Sequence, residues 1–222
     1  MMSMYEKFVN LLNTYCNQAG YPIRIEKTLH ELSLDDANSV NVFTSEYKDL
    51  NSISMDSIAQ NVVARIHFGG PPREDVAPAS VDSFLIDSNG YWYFIEFKNQ
   101  YISSKKVKED CVKKSYANVF WLFKILDELQ RKQLFSFDAY SSCTTEISPF
   151  EFVKKYCKFI LVIGKDKVDN ELNRIREAKK AKMTMPDSCR FLRKLESYVF
   201  KSADVYSADQ FDREFVKKFR YS

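Results

Sequence analysis

The spacing of apolar positions changes along this chain, and the changes mark out its elements. Phe8, Leu11, Leu12 and Tyr15 recur at helical spacing within Tyr5–Cys16, and the pattern stops before Gly20 and Pro22, which predicts an opening helix. From Ile23 to Leu50 polar and apolar residues mix with no sustained period, apart from a short strand expected at Val40–Phe43. Ser52–Asn61 reads as a helix leading into a β-branched strand at Val62–Phe68, closed by Gly69-Gly70-Pro71-Pro72 and a surface loop that reaches Ala79. Val81–Asp87 and Tyr91–Lys98 are two aromatic and β-branched runs joined by Ser88-Asn89-Gly90, the strongest hairpin signal in the sequence. A long helix is expected over Ser104–Gln130, basic at first and apolar later, then a loop over Ser136–Ser148.

Lys158–Ile163 is short and apolar on both faces, as a central strand should be. Helices are expected at Val168–Met183, Ser188–Val199 and Ala208–Phe219. The order is helix, mixed region, three strands, long helix, strand and helices, which makes an α/β layered domain. No repeat or linker divides 1–222, so a single domain is expected, with a core over 52–164, an N-terminal helical extension over 1–51 and a basic helical extension over 165–222.

Composition narrows the classes. The apolar and charged shares, 45% and 28%, are those of a soluble globular chain and exclude disorder and collagen-like repeats. No apolar run approaches the ~18–20 residues of a membrane helix, and the start lacks the pattern of a secretory signal, so a cytoplasmic protein without a membrane partner is expected. The five cysteines form no CxxC pair, which suits reduced thiols in a core. Two histidines 37 residues apart give neither HExxH nor HxH, and no glycine lies in GxGxxG, GxxxxGK[ST] or GxSxG. Histidine-based zinc chemistry, nucleotide loops and the serine-hydrolase elbow therefore lack support.

Charge divides unevenly. Residues 1–97 hold 6 Lys/Arg against 13 Asp/Glu, and residues 98–222 hold 27 against 17. A basic half beside an acidic half suits a surface that tracks phosphates next to acids that gather a metal, although solvated lysine-rich helices give the same count. Lys105, Lys106, Lys113 and Lys114 on the long helix are candidate phosphate contacts, as is Gln100 at the preceding strand end. Arg174, Arg176, Lys179, Lys180 and Lys182 form a second basic helix better read as a solvated face. Trp92, Phe94, Trp121 and Phe123 fall at strand or helix spacing and are read as core.

Glu-x-Lys occurs three times, at Glu46-Tyr47-Lys48, Glu96-Phe97-Lys98 and Glu177-Ala178-Lys179. Only the second ends an apolar strand, where period two puts Glu96 and Lys98 on one side. Burying such a pair is costly unless it is compensated, and Asp82 is the natural partner. Antiparallel partners share a constant index sum. A sum of 178 sets Asp82 opposite Glu96, pairs Asp87 with Tyr91 and leaves a three-residue loop with Gly90 in the left-handed position. A two-residue Asn-Gly turn gives 179 and sends the carboxylates to opposite faces. At 178, two carboxylates about 5 Å apart with a lysine beside them suit Mg²⁺ or Mn²⁺. The other reading of the same residues is a buried Asp-Lys-Glu ion network without a metal.

The stretch VDSFLIDSNGYWYFIEFKN resembles the core motif of the PD-(D/E)xK, or restriction-endonuclease-like, nuclease superfamily. The resemblance implies a core of helix, three-stranded antiparallel meander, helix and strand, with additional helices after it. It implies Asp82 and Glu96 as catalytic metal ligands with the Phe97 carbonyl, Mg²⁺ or Mn²⁺ as cofactor, Lys98 as catalytic lysine and DNA as the nucleic-acid partner. Many members carry a further acid on the first core helix, for which Asp56 is the candidate, followed by Glu46. Double-strand cleavage in this superfamily often uses two sites, which makes a homodimer an expectation. Val81 stands where the motif has proline. The reading is thus a metal-dependent endonuclease acting on DNA phosphodiesters, with a non-catalytic nucleic-acid-binding or protein-interaction module on the same fold as the alternative.

Overall fold

The computed structural model describes residues 2–47, 49–71, 75–144, 147–181, 183 and 190–219, and six of its strands make one mixed sheet. Helix α1 (Met4–Gln18) starts at a reciprocal cap: the Ser3 side chain accepts from the Glu6 N–H, and the Glu6 carboxylate accepts from the Ser3 N–H. Strand β1 (Glu26–Thr28), helix α2 (Leu29–Leu32) and a two-residue pair, β2 (Leu34–Asp35) with β3 (Val40–Asn41), lead to β4 (Asn51–Ser54). A helical rod follows: α3 (Met55–Ile58), one π-helical turn (Ala59–Val63) and α4 (Ala64–Phe68). Next come β5 (Ser83–Ile86), β6 (Trp92–Lys98), the long α5 (Lys105–Arg131), α6 (Pro149–Tyr156) and β7 (Cys157–Ile163). Helices α7 (Asn170–Lys180) and α8 (Arg190–Tyr198), strand β8 (Ser202–Ser207) and a last rod, with α9 (Ala208–Phe211), a π-helical turn and α10 (Lys217–Phe219), complete the chain.

The strand order is β1-β4-β5-β6-β7-β8, antiparallel up to β6 and parallel from β6 to β8. Each parallel step needs a crossover, supplied by α5 with α6 and by α7 with α8. Alternation along β6 splits the core. Trp92 and Phe94 point to the face covered by α1, the 55–68 rod and α5, whereas Tyr93, Ile95 and Phe97 point to the face covered by residues 208–219. Trp92, Phe94 and Trp121 are buried and Phe123 packs against the same cluster, so all four are core. Cys16, Cys111, Cys143 and Cys157 are buried thiols outside any disulfide, and among the described residues no helix is long and apolar enough to cross a membrane.

Three expectations need correction. Residues 55–61 are helical as expected, but both flanks differ: Ser52–Ser54 is strand and Val62–Phe68 continues the helix, because Ser54 caps it at the Ser57 N–H and Ile58, Val62 and Val63 pack on one core face. A helix therefore stands between the first and second strands of the antiparallel meander β4-β5-β6. Nor are the flanks all helical, since 26–28 and 202–207 are the two edge strands. In β8 the sequence SADVYS alternates buried with half-buried positions, but small and polar residues hide the pattern. Part of the predicted helix at 188–199 lies outside the described residues.

The hairpin has the odd loop. Ser83 stands opposite Ile95, Phe84 opposite Phe94, Leu85 opposite Tyr93 and Ile86 opposite Trp92, an index sum of 178 throughout. The Asp87 N–H donates to the Tyr91 carbonyl at 3.0 Å, and the Asp87 carboxylate accepts from the Asn89 and Tyr91 N–H groups at 2.9 Å each. Gly90 has φ +76°, and a Cβ there would lie 2.5 Å from the Ser141 Cα, so both the turn and the close approach require glycine.

Candidate active site

The register carries Asp82 and Glu96 to the same face at the end of β6. Asp82, one residue before β5, turns its Oδ2 onto the Phe97 N–H at 2.6 Å and its Oδ1 toward the Lys114 ammonium at 3.2 Å. Glu96 is fully buried, and its Oε1 lies 2.8 Å from Lys114 Nζ and 3.0 Å from Lys98 Nζ. Both ammonium groups reach Oε1 at ion-pair distance, and among the described residues Oε2 has no hydrogen-bond partner. Charge attraction therefore holds Glu96, with one oxygen left unsatisfied. Lys98 also meets Asp110 of α5 at 3.5 Å.

Asp56 joins this neighbourhood from the first turn of the 55–68 rod. The Ser80 hydroxyl donates to its Oδ1, and burial followed by the charge of Asp82 raises its pKa. Burial, then Asp82, pushes Glu96 up to about 7. Burial pulls Lys114 down, but Asp82, Glu96 and Asp56 outweigh it and hold the ammonium above the ordinary lysine range. Lys98 is raised in the same way, burial being overcome chiefly by Glu96.

Asp82, Glu96, Lys98 and Asp56 are thus brought together from one hairpin and one helix start. Glu46 is placed elsewhere: its N–H donates to Asp212 at 2.6 Å, on the side of the sheet that carries residues 208–219. Among the described residues no three His, Cys, Asp or Glu side chains stand together as a group that could hold a metal ion, and Asp56 adds charge to the neighbourhood of Asp82 and Lys114. Only the backbone of Phe97 belongs to this face, because its ring stacks with Phe43 on the other.

The lysines of α5 separate. Lys105, Lys106 and Lys113 are exposed, with Lys105 in a loose pair with Glu109 at 3.6 Å, and Gln100 is exposed just beyond β6. Lys114, by contrast, turns inward and pairs with Asp82 and Glu96. Its position explains the turn inward: Lys114 falls in helical phase with the buried Val107, Cys111 and Asn118 of α5. That spacing is visible in the sequence, as is Asp110 one turn before Lys114. Asn118 fixes the helix against the hairpin, its Oδ1 accepting from the Val81 N–H at 2.9 Å. On α7, Arg176 pairs with Glu214 at 2.9 Å and Lys179 pairs with Asp204, which spends both cations within the fold; Lys182 lies outside the described residues.

Comparisons with family models, with curated proteins and with solved structures find no match to this chain.

Proposed function

We propose that this chain is a metal-dependent nuclease that hydrolyses DNA phosphodiester bonds on a restriction-endonuclease-like core. The observation that carries the reading is the hairpin register, which sets the Asp82 and Glu96 carboxylates on one face beside Lys98 at a strand end. The donor set fits a hard divalent cation: two carboxylates converge, and the buried Glu96 Oε2 has an unmet need for a positive partner. Asp82 and Glu96, with the Phe97 carbonyl, would hold Mg²⁺ or Mn²⁺. When bound, such an ion supplies charge that polarises the phosphodiester and makes a bound water more acidic. Lys98, drawn to Glu96, is placed to orient a water or to steady the charge that builds on the phosphate. The exposed Lys105, Lys106 and Lys113 with Gln100 would position the nucleic-acid backbone along α5.

A specific observation also favours the second reading, a non-catalytic binding module. Lys98 and Lys114 already pair with the acids, as a self-sufficient ion network would require. The test is cleavage of supercoiled and linear DNA with Mg²⁺ or Mn²⁺ by the wild-type chain, Asp82→Ala and Lys98→Ala, purified identically. Cutting that needs metal and is lost in both variants supports the nuclease. No cutting by the wild type, together with DNA binding unaffected by EDTA, supports the module.

A further inference from the structure

Lys114 stands out because, among the described residues, it is the one cation that pairs with both carboxylates. Its Nζ lies 2.8 Å from Glu96 Oε1 and 3.2 Å from Asp82 Oδ1, and no second cation would enter between those oxygens without meeting it. The root of this side chain is fixed. Cys111 one turn before it is fully buried, and Asn118 one turn after it bonds the Val81 N–H next to Asp82. The side chain as a whole keeps 24% of its exposure, so it borders solvent, and a rotation about its own bonds would carry the ammonium outward while the helix stays still.

We infer that Lys114 is a positioning residue that fills the cation position of the Asp82–Glu96 pair and is displaced when a divalent ion enters. The inference rests on the metal-site reading above. The bridging ammonium gathers two like charges around one cation, so the acids are brought together before the ion arrives, and entry of the ion exchanges one cation for another. The displaced ammonium stays tethered at the mouth of the site, beside exposed Lys113, where the nearest anion of a bound nucleic acid is a backbone phosphate. Ion and nucleic acid then assist each other: each is bound more tightly when the other has taken its share of the exchange, and linkage makes the effect equal in both directions.

The test is Mn²⁺ affinity of the full chain, by calorimetry with free Mn²⁺ followed by its spin resonance, without and with a short DNA duplex, at low salt. The variants are Lys114→Met and Lys98→Met, with circular dichroism to establish that each is folded. Displacement predicts Mn²⁺ bound at least tenfold more tightly by Lys114→Met than by wild type in the absence of DNA. It also predicts that the duplex raises Mn²⁺ affinity in wild type and that this gain shrinks severalfold in Lys114→Met. Lys98→Met removes the same charge from the same glutamate oxygen without opening the position between the acids, so its gain should be several times smaller. Equal gains in the two variants would overturn displacement, reducing Lys114 to a field effect, while leaving the metal site standing. Unchanged or weaker Mn²⁺ binding in Lys114→Met would overturn it as well. Absence of Mn²⁺ binding in all three proteins would overturn the inference and the metal-site reading together.

Discussion

Replacing Lys114 by Met in metal-free protein should cost stability in a manner that depends on pH, and the dependence follows from the buried glutamate. Removing one partner of a buried ion pair typically costs about 3–5 kcal/mol, because a charge is left behind. Glu96 escapes that cost wherever it is neutral. Its pKa is pushed up to about 7, so at pH 5 it carries a proton in both proteins. What the variant then lacks is the contact of Lys114 with Asp82 at 3.2 Å, between partly exposed groups, worth about 1 kcal/mol or less. Lys114 itself is raised above the ordinary lysine range, so its contribution is present across this whole interval and is not what titrates. Above pH 7 the wild-type glutamate ionises against two ammonium groups, while the variant, holding only Lys98, ionises later. The difference grows by about 1.4 kcal/mol per pH unit and reaches about 3–4 kcal/mol near pH 9. Urea unfolding with EDTA at pH 5, 7 and 9 measures it. A loss that is the same at pH 5 and pH 9, or larger at pH 5, refutes the argument that Lys114 acts on a charged Glu96.

Other outcomes follow from the same geometry. Between pH 4.5 and 7 the folded chain retains a proton on Glu96 that the unfolded chain has released, so this residue lowers stability as pH rises, by about 3 kcal/mol; the wild type minus Glu96→Gln difference in unfolding free energy should fall by that amount across the interval. Gly90→Ala meets both a left-handed backbone and the Ser141 backbone, and should cost about 2–4 kcal/mol by thermal or urea unfolding. Asn118→Ala leaves the buried Val81 N–H without its acceptor, a loss of about 1–3 kcal/mol that a chemical denaturation curve would register. If α5 tracks phosphates, Lys106→Ala and Lys113→Ala should each weaken DNA binding on all sequences alike and reduce the slope of log K against log salt by about 1 in fluorescence anisotropy titrations.

The hairpin was legible because its constraints are local. Three loop residues with a glycine, flanked by alternating aromatic and β-branched runs, admit one register that places both acids together, and that register is the one formed. Residues 52–68 misled for the opposite reason. Val62, Val63 and Ile66 look like a strand by composition, yet Ser54 starts a helix upstream and the core takes Ile58, Val62 and Val63 at helical spacing while Ile66 stays exposed. At β8 the hydrophobic signal is too thin to read without knowing that the edge of the sheet lies beside it. Lys114 reads as one more lysine of a basic helix because neighbouring Lys113 and nearby Lys105 and Lys106 do face outward; only its phase with Val107, Cys111 and Asn118 distinguishes it.

The strand that bears the site takes its two coverings from distant parts of the chain. Phe97, between Glu96 and Lys98, packs against Phe43 and Phe211, and Tyr93 packs against Phe215 and Phe219. Asp212 ties this rod to the earlier segment through the Ser45 hydroxyl at 2.6 Å and the Glu46 N–H. During synthesis, then, the strand that carries the acids has this side covered only in part, by earlier residues such as Leu29, Val42 and Phe43, until residues 208–219 have left the ribosome. A polypeptide interrupted before that point leaves Tyr93 and Phe97 without the Phe211, Phe215 and Phe219 rings and so presents aromatic sheet surface to chaperones and proteases.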